Sequence, residues 1–122
     1  MKKLISVTLA FLLVSGFAVA QKKGNEKIFR DPYIKKVMKK AAEWQLEHPK
    51  HKLYDWTNGA FYAGLFAAYE TTGSKKIYQA MYKMGEENSW KPGPRLHRGE
   101  DHAICQTYID LYRITKDRKI IN

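Results

Sequence analysis

With 122 residues, one cysteine and a formal net charge of +10, the chain has room for one small domain, and Cys105 has no partner for an intrachain disulfide. A core, rather than covalent bridges, must hold such a domain together. No phosphate-binding glycine loop or nucleophile elbow occurs in it.

The chain begins as a secretory signal does. Lys2 and Lys3 precede an apolar run from Leu4 to Phe17, and Ala18-Val19-Ala20 supplies the small-x-small site before Gln21. Cleavage after Ala20 is expected, and the run falls short of the ~20 residues that cross a bilayer. Residues 1–20 carry two of the 22 Lys and Arg and none of the 12 Asp and Glu, so the mature charge is +8. Export argues against nucleic acid as a partner and leaves acidic glycans as one that a basic surface could steer. No later segment is apolar enough for a membrane anchor, so the mature chain is expected to be free of the membrane.

Residues 21–30 form a polar tail, and residues 31–122 read as one all-helical domain. Asp31-Pro32 opens a first helix, with an N-cap and a proline at the first helical position, which stops near Pro49. Its apolar face is Ile34, Val37, Met38, Ala41 and Ala42, and Lys35, Lys36, Lys39 and Lys40 fill the other. A second helix is expected from an Asn58 cap to Thr72, with Gly73 ending it. Phe61, Tyr62, Leu65, Phe66 and Tyr69 surround it, so it should be buried. Ser74 caps a third, half-exposed helix to about Asn88, with Ile77, Tyr78, Met81 and Met84 inward. After the loop Ser89-Trp90-Lys91-Pro92-Gly93-Pro94, Asp101 caps a fourth helix of mostly buried character.

The order outer, inner, outer, inner repeats. A shift of 43 residues places Tyr69, Thr72, Lys76 and Ile77 on Tyr112, Thr115, Lys119 and Ile120, and Asn58 on Asp101. The unit is a helical hairpin, which needs neighbours on both sides to bury its core. Ending inside a third helix-opening pattern at Asp117 to Asn122, the chain is expected to be a truncated piece of a longer array.

Chemistry-bearing residues gather at the N-terminal ends of the two inner helices. Trp56 offers a flat face to a sugar ring, and Asp55 and Asn58 can bond hydroxyls; alternatively Trp56 is core and Asn58 a cap. Trp44 and Trp90 read as packing residues. Asp101 is the candidate for acid–base work, with Glu100, His97, Arg98 and His102 nearby. At a helix N-terminus its ionised form is favoured, so it reads as a carboxylate that orients or accepts rather than a proton donor, or else as a plain cap. The histidines show no metal spacing, and Cys105 has no paired base.

These runs, Asp55-Trp56-Thr57-Asn58-Gly59 with Gly64-Leu65 and Thr72-Gly73, then His97 to Gln106 with Tyr108 and Leu111-Tyr112, resemble the unsaturated glucuronyl and rhamnogalacturonyl hydrolases of glycoside hydrolase families 88 and 105. The likeness covers residues 31–122. It implies the N-terminal part of an (α/α)6 barrel; at ~43 residues per hairpin, six hairpins would need about 258 residues.

The resemblance also implies hydration of a C4–C5 double bond left by a polysaccharide lyase on pectin or rhamnogalacturonan, with release of an unsaturated uronic sugar and no cofactor. Asp101 matches the earlier of two family aspartates, Trp56 and Asn58 the substrate-facing rim, and His97 and Arg98 further substrate contacts. The second aspartate is expected beyond Asn122, leaving this piece inactive alone. Gly99-Glu100 departs from the family's Ala-Asp at that point. The rival readings are an exported helical-repeat module that binds glycans, and another sugar-active (α/α) barrel such as an epimerase. For a hydrolase of short oligosaccharides, the periplasm is favoured over the medium.

Overall fold

The computed structural model describes residues 27–121. The signal segment 1–20 and residues 21–26 of the polar tail lie outside that range. The described residues are all helical, with no strand among them: α1 Asp31–Glu47, α2 Trp56–Thr72, α3 Lys75–Glu87, α4 Gly99–His102, α5 Cys105–Thr115 and a 3-10 turn Arg118–Ile120. By contacts the chain divides into residues 1–37 and 38–122, a boundary that falls within α1.

In the first unit, the N–H groups of Tyr33 and Ile34 donate to Arg30 O at 2.9 and 3.1 Å. Asp31 is therefore the first helical residue rather than the one before it, and Pro32 still sits in the first turn, where its missing N–H forfeits no bond. Ile34 and Val37, expected on the buried face, are exposed.

In the second unit α2 is the central element, packed on α3, α5 and α4. Its Leu65 meets a core of Ile77, Met81 and Met84 from α3, Ile104 and Leu111 from α5 and its approach, and Ile120. Each such side chain, fully withdrawn from water, contributes about 1.5–3 kcal/mol. α3 fulfils its sequence pattern, with Lys75, Lys76, Lys83 and Glu87 outward. Lys76 also reaches Glu43 and Glu47 of α1 at 3.4 and 3.7 Å.

α2 begins three residues before its expected start. Asp55, not Asn58, is the cap: its Oδ1 accepts from Thr57 N at 3.0 Å and from the Thr57 hydroxyl at 2.6 Å. Asn58 lies inside the first turn. The expected fourth helix is two, α4 and α5, separated by Ala103 and Ile104. Through this break Ala103, Gln106 and Thr107 donate to carbonyls three residues back, the tighter 3-10 pattern. Asp101 thus sits within α4, and Arg98 holds the cap position.

The break faces α2 at Gly59. A Cβ there would stand 2.8 Å from Ala103 Cβ and 2.9 Å from its carbonyl carbon. Only glycine lets the two backbones approach so closely.

The inner helices are not buried all round. Ala60, Gly64 and Ala67 of α2 and Ile109 and Ile114 of α5 are exposed. Of the two tryptophans read as packing residues, Trp90 is buried between Tyr82 and Tyr108, with ring centroids 5.1 and 5.4 Å away. Trp44, in the last turn of α1, is 57% exposed and stacked at 4.4 Å on His48 just past the helix end, whose Nδ1 lies 2.7 Å from Trp44 O.

The 43-residue register holds in atomic detail. Gly73 and Lys116 both adopt left-handed backbone, φ 63° and 59°, and donate to Tyr69 O and Tyr112 O. Thr72 and Thr115 turn their hydroxyls back to Ala68 O and Leu111 O at 2.6 and 2.9 Å. Ile77 and Ile120 are both fully buried.

Candidate active site at the starts of α2 and α4

Two loops, residues 48–55 and 91–98, lead into α2 and α4. Contact of Gly59 with Ala103 brings the helix starts together. In each copy of the repeat, one side chain from the first helical turn reaches back to fasten its loop. Asn58 Nδ2 donates to His51 O at 3.0 Å and Lys52 O at 2.7 Å. Asp101 does the same with reversed polarity: Oδ2 accepts from Arg95 N at 2.8 Å. Lys52 and Arg95 each precede their partner by six residues.

Asp101 is the better enclosed of the two, at 2% exposure. Arg95 Nε is shared between Oδ1 at 3.0 Å and Oδ2 at 3.1 Å, and Nη2 bonds Oδ1. The Gly93 N–H donates to the Asp101 carbonyl at 2.7 Å, and a Cβ on Gly93 would stand 2.7 Å from the Asp101 side chain. Hydrogen bonding from Arg95 is the main force holding the Asp101 carboxyl below its ordinary value. The Arg95 backbone N–H and the charges of Arg95 and His102 add to it, and burial opposes. The group is therefore an ionised acceptor at neutral pH.

Arg95 is what sequence reasoning missed. Its side chain is 59% exposed while one edge of its fork is fixed by Asp101. The repeat itself held the signal, since Arg95 falls on Lys52 when the copies are superposed by 43 residues.

The other expected residues spread along the same rim. Trp56, first residue of α2, is 57% exposed and keeps a face open for stacking. Asp55 beside it is held below its ordinary value by the Thr57 hydroxyl, then the Thr57 N–H, with His51 and Arg95 assisting against burial. His97 and Arg98 are exposed, Arg98 donating its backbone N–H to Arg95 O at 3.0 Å. His102 Nε2 lies 3.1 Å from Leu96 O across the loop. Asn58 is buried, and both of its mapped bonds go to the loop rather than outward. Burial raises the Cys105 thiol, making it a poor nucleophile. Among the described residues no cluster of three His, Cys, Asp or Glu is placed to hold a metal.

The described residues are thus helical hairpins in a 43-residue register, with an exposed aromatic and a buried, ionised carboxylate at the inner-helix starts. The pattern of Glycosyl Hydrolase Family 88 matches residues 31–122. The chain therefore belongs to glycoside hydrolase family 88, and its all-helical architecture is that of part of an (α/α)6 barrel. It is similar to an unsaturated 3S-rhamnoglycuronyl hydrolase of Formosa agariphila, 35% identical over 103 residues, covering 83% of this chain and 27% of that relative. The chain spans about a quarter of the length of that protein.

Proposed function

We propose that the protein removes unsaturated uronic sugars from oligosaccharides that a lyase has cut, by adding water across the C4–C5 double bond. Protonation of the alkene at C4 and attachment of the water oxygen at C5 give a hemiketal; its opening breaks the bond from C5 to the ring oxygen, leaving a C5 ketone and a C1 hemiacetal, and collapse of that hemiacetal to an aldehyde releases the neighbouring sugar as an alcohol. The family match over residues 31–122 carries the reading. The relative's name, a hydrolase of an unsaturated rhamnoglycuronyl substrate, supports a rhamnose-containing polysaccharide such as rhamnogalacturonan as the source.

In this reading Trp56 stacks on a ring, and His97 and Arg98 meet the acidic sugar from the loop before α4. Asp101, held ionised, accepts a hydrogen bond from substrate or water, so delivery of the proton falls to another acid. Export through residues 1–20, with retention in the periplasm, belongs to the same proposal, since short products are kept near the cell that uses them.

The test is the alkene chromophore. Full-length protein incubated with a Δ4,5-unsaturated galacturonyl-rhamnose disaccharide should abolish its ultraviolet absorbance and release free rhamnose. Binding with undiminished absorbance would replace the hydrolase reading with a glycan-binding one. An epimerised product that keeps the alkene would replace it with an isomerase.

A further inference from the structure

We infer that Arg95 is a positioning residue for the site, fixing the Asp101 carboxylate in one orientation. The inference rests on the hydrolase reading for its catalytic consequence, but its geometry stands apart from that reading.

Asp101 is nearly sealed from solvent, yet it is not sealed by apolar neighbours alone. Its partners all come from one residue six positions earlier: the Arg95 backbone N–H, Nε and Nη2. A guanidinium edge is rigid and planar, so it fixes both the position and the plane of the carboxylate, which a lysine ammonium cannot. Oδ1 receives two of the bonds. Oδ2 receives the backbone N–H and only a share of Nε, at 3.1 Å, while the same Nε also bonds Oδ1 at 3.0 Å. Each carboxylate oxygen takes two hydrogen bonds from this one residue.

The cradle has further parts. Gly93 leaves room for the carboxylate where any Cβ would collide with it, and its N–H holds the Asp101 carbonyl. The charged groups that act on the pair are Glu100 and His102 on its own segment and Asp55 before α2, with His51 acting on Asp55 in turn. In the other copy of the repeat the equivalent pair is Asn58 with Lys52, where a neutral amide fastens the loop through carbonyls and no guanidinium takes part. Loop fastening alone therefore does not require Arg95. What the arginine adds is an oriented charge.

The experiment compares Arg95→Met and Arg95→Lys with wild type in the full-length protein, using two readouts. The first is titration of the Asp101 carboxyl carbon by NMR. In Arg95→Met it should move to higher pH, and Arg95→Lys should restore part of the depression. The second is the pH dependence of kcat on the unsaturated disaccharide. The acid limb should shift upward with the carboxyl, kcat at neutral pH should fall at least about tenfold in Arg95→Met, and KM should change little.

An unchanged Asp101 titration in Arg95→Met overturns the inference, as does a shifted titration with an unmoved acid limb. Should Arg95→Met not fold, Arg95→Gln takes its place with the same outcomes. If wild type leaves the alkene intact, the hydrolase reading falls, and the carboxyl titration still decides whether Arg95 positions Asp101.

Discussion

Asn58 shows what a buried amide does when its sequence neighbours suggest another task. An Asn before Gly invites reading as a cap, but Asp55 has a threonine two residues on whose N–H and hydroxyl both point to it, and that pairing wins the helix start. Asn58 is left to hold two loop carbonyls. Replacing it with Ala should lower stability by about 1–3 kcal/mol, since both carbonyls lose a partner in a half-buried setting, and a denaturant titration would read the loss.

The rim carboxylates set the acid response. Asp55 and Asp101 have folded values below their unfolded ones. Their contribution is complete above the unfolded carboxylate value and disappears as pH falls through the depressed folded value. Melting curves from about pH 7 to about pH 2 should show wild type and Asp101→Asn converging in acid. Asp101 and Trp56 were legible because rare chemistry-bearing types stand beside turn residues. Arg95 was not, because one basic residue among 22 carries no local mark until its partner is known.

At the scale of elements, the paired helix ends offer an internal control. Gly73 and Lys116 occupy the same left-handed position in the two copies. Gly73→Ala should destabilise by about 1–2 kcal/mol, since a side chain there strains the backbone. Lys116→Gly should stabilise by up to about 1 kcal/mol, the relief of that strain exceeding the added freedom of the unfolded chain. Thermal melts of the two single variants test both signs.

The first three helices, and the join between the second and third, could be read from periodicity and caps, because Gly73 and Ser74 act locally. The break between α4 and α5 could not. Ala103 and Ile104 suit a helix, and what interrupts it is the approach of Gly59 from another element, a tertiary effect that propensity does not contain.

For the molecule as a whole, the surface left between α1 and α2 is the chief departure from expectation. Met38, Ala41, Gln45, Ala60, Phe61 and Gly64 line a groove of about 400 Å³, largely apolar. Ala60 and Gly64 on α2 keep it open, whereas the larger Phe61, Tyr62, Leu65, Phe66 and Tyr69 led that helix to read as buried on every side. Apolar surface of this kind should enhance the fluorescence of a hydrophobic dye added to residues 21–122. A Gly64→Lys variant should weaken that signal, since a Cβ at Gly64 meets open space and the charge would project into the groove.

The close passage of Gly59 over Ala103 has a consequence for how such a site could change over time. It works as a spacer of zero thickness between two segments, the start of α2 with Trp56 and α4 with the preceding loop that carries His97 and Arg98. Adding a single methyl at that point would push the backbones of α2 and the α4–α5 break apart without touching Trp56, His97 or Arg98. The spacing between Trp56 on one side and His97 and Arg98 on the other is thereby adjustable at a position that carries no side chain of its own.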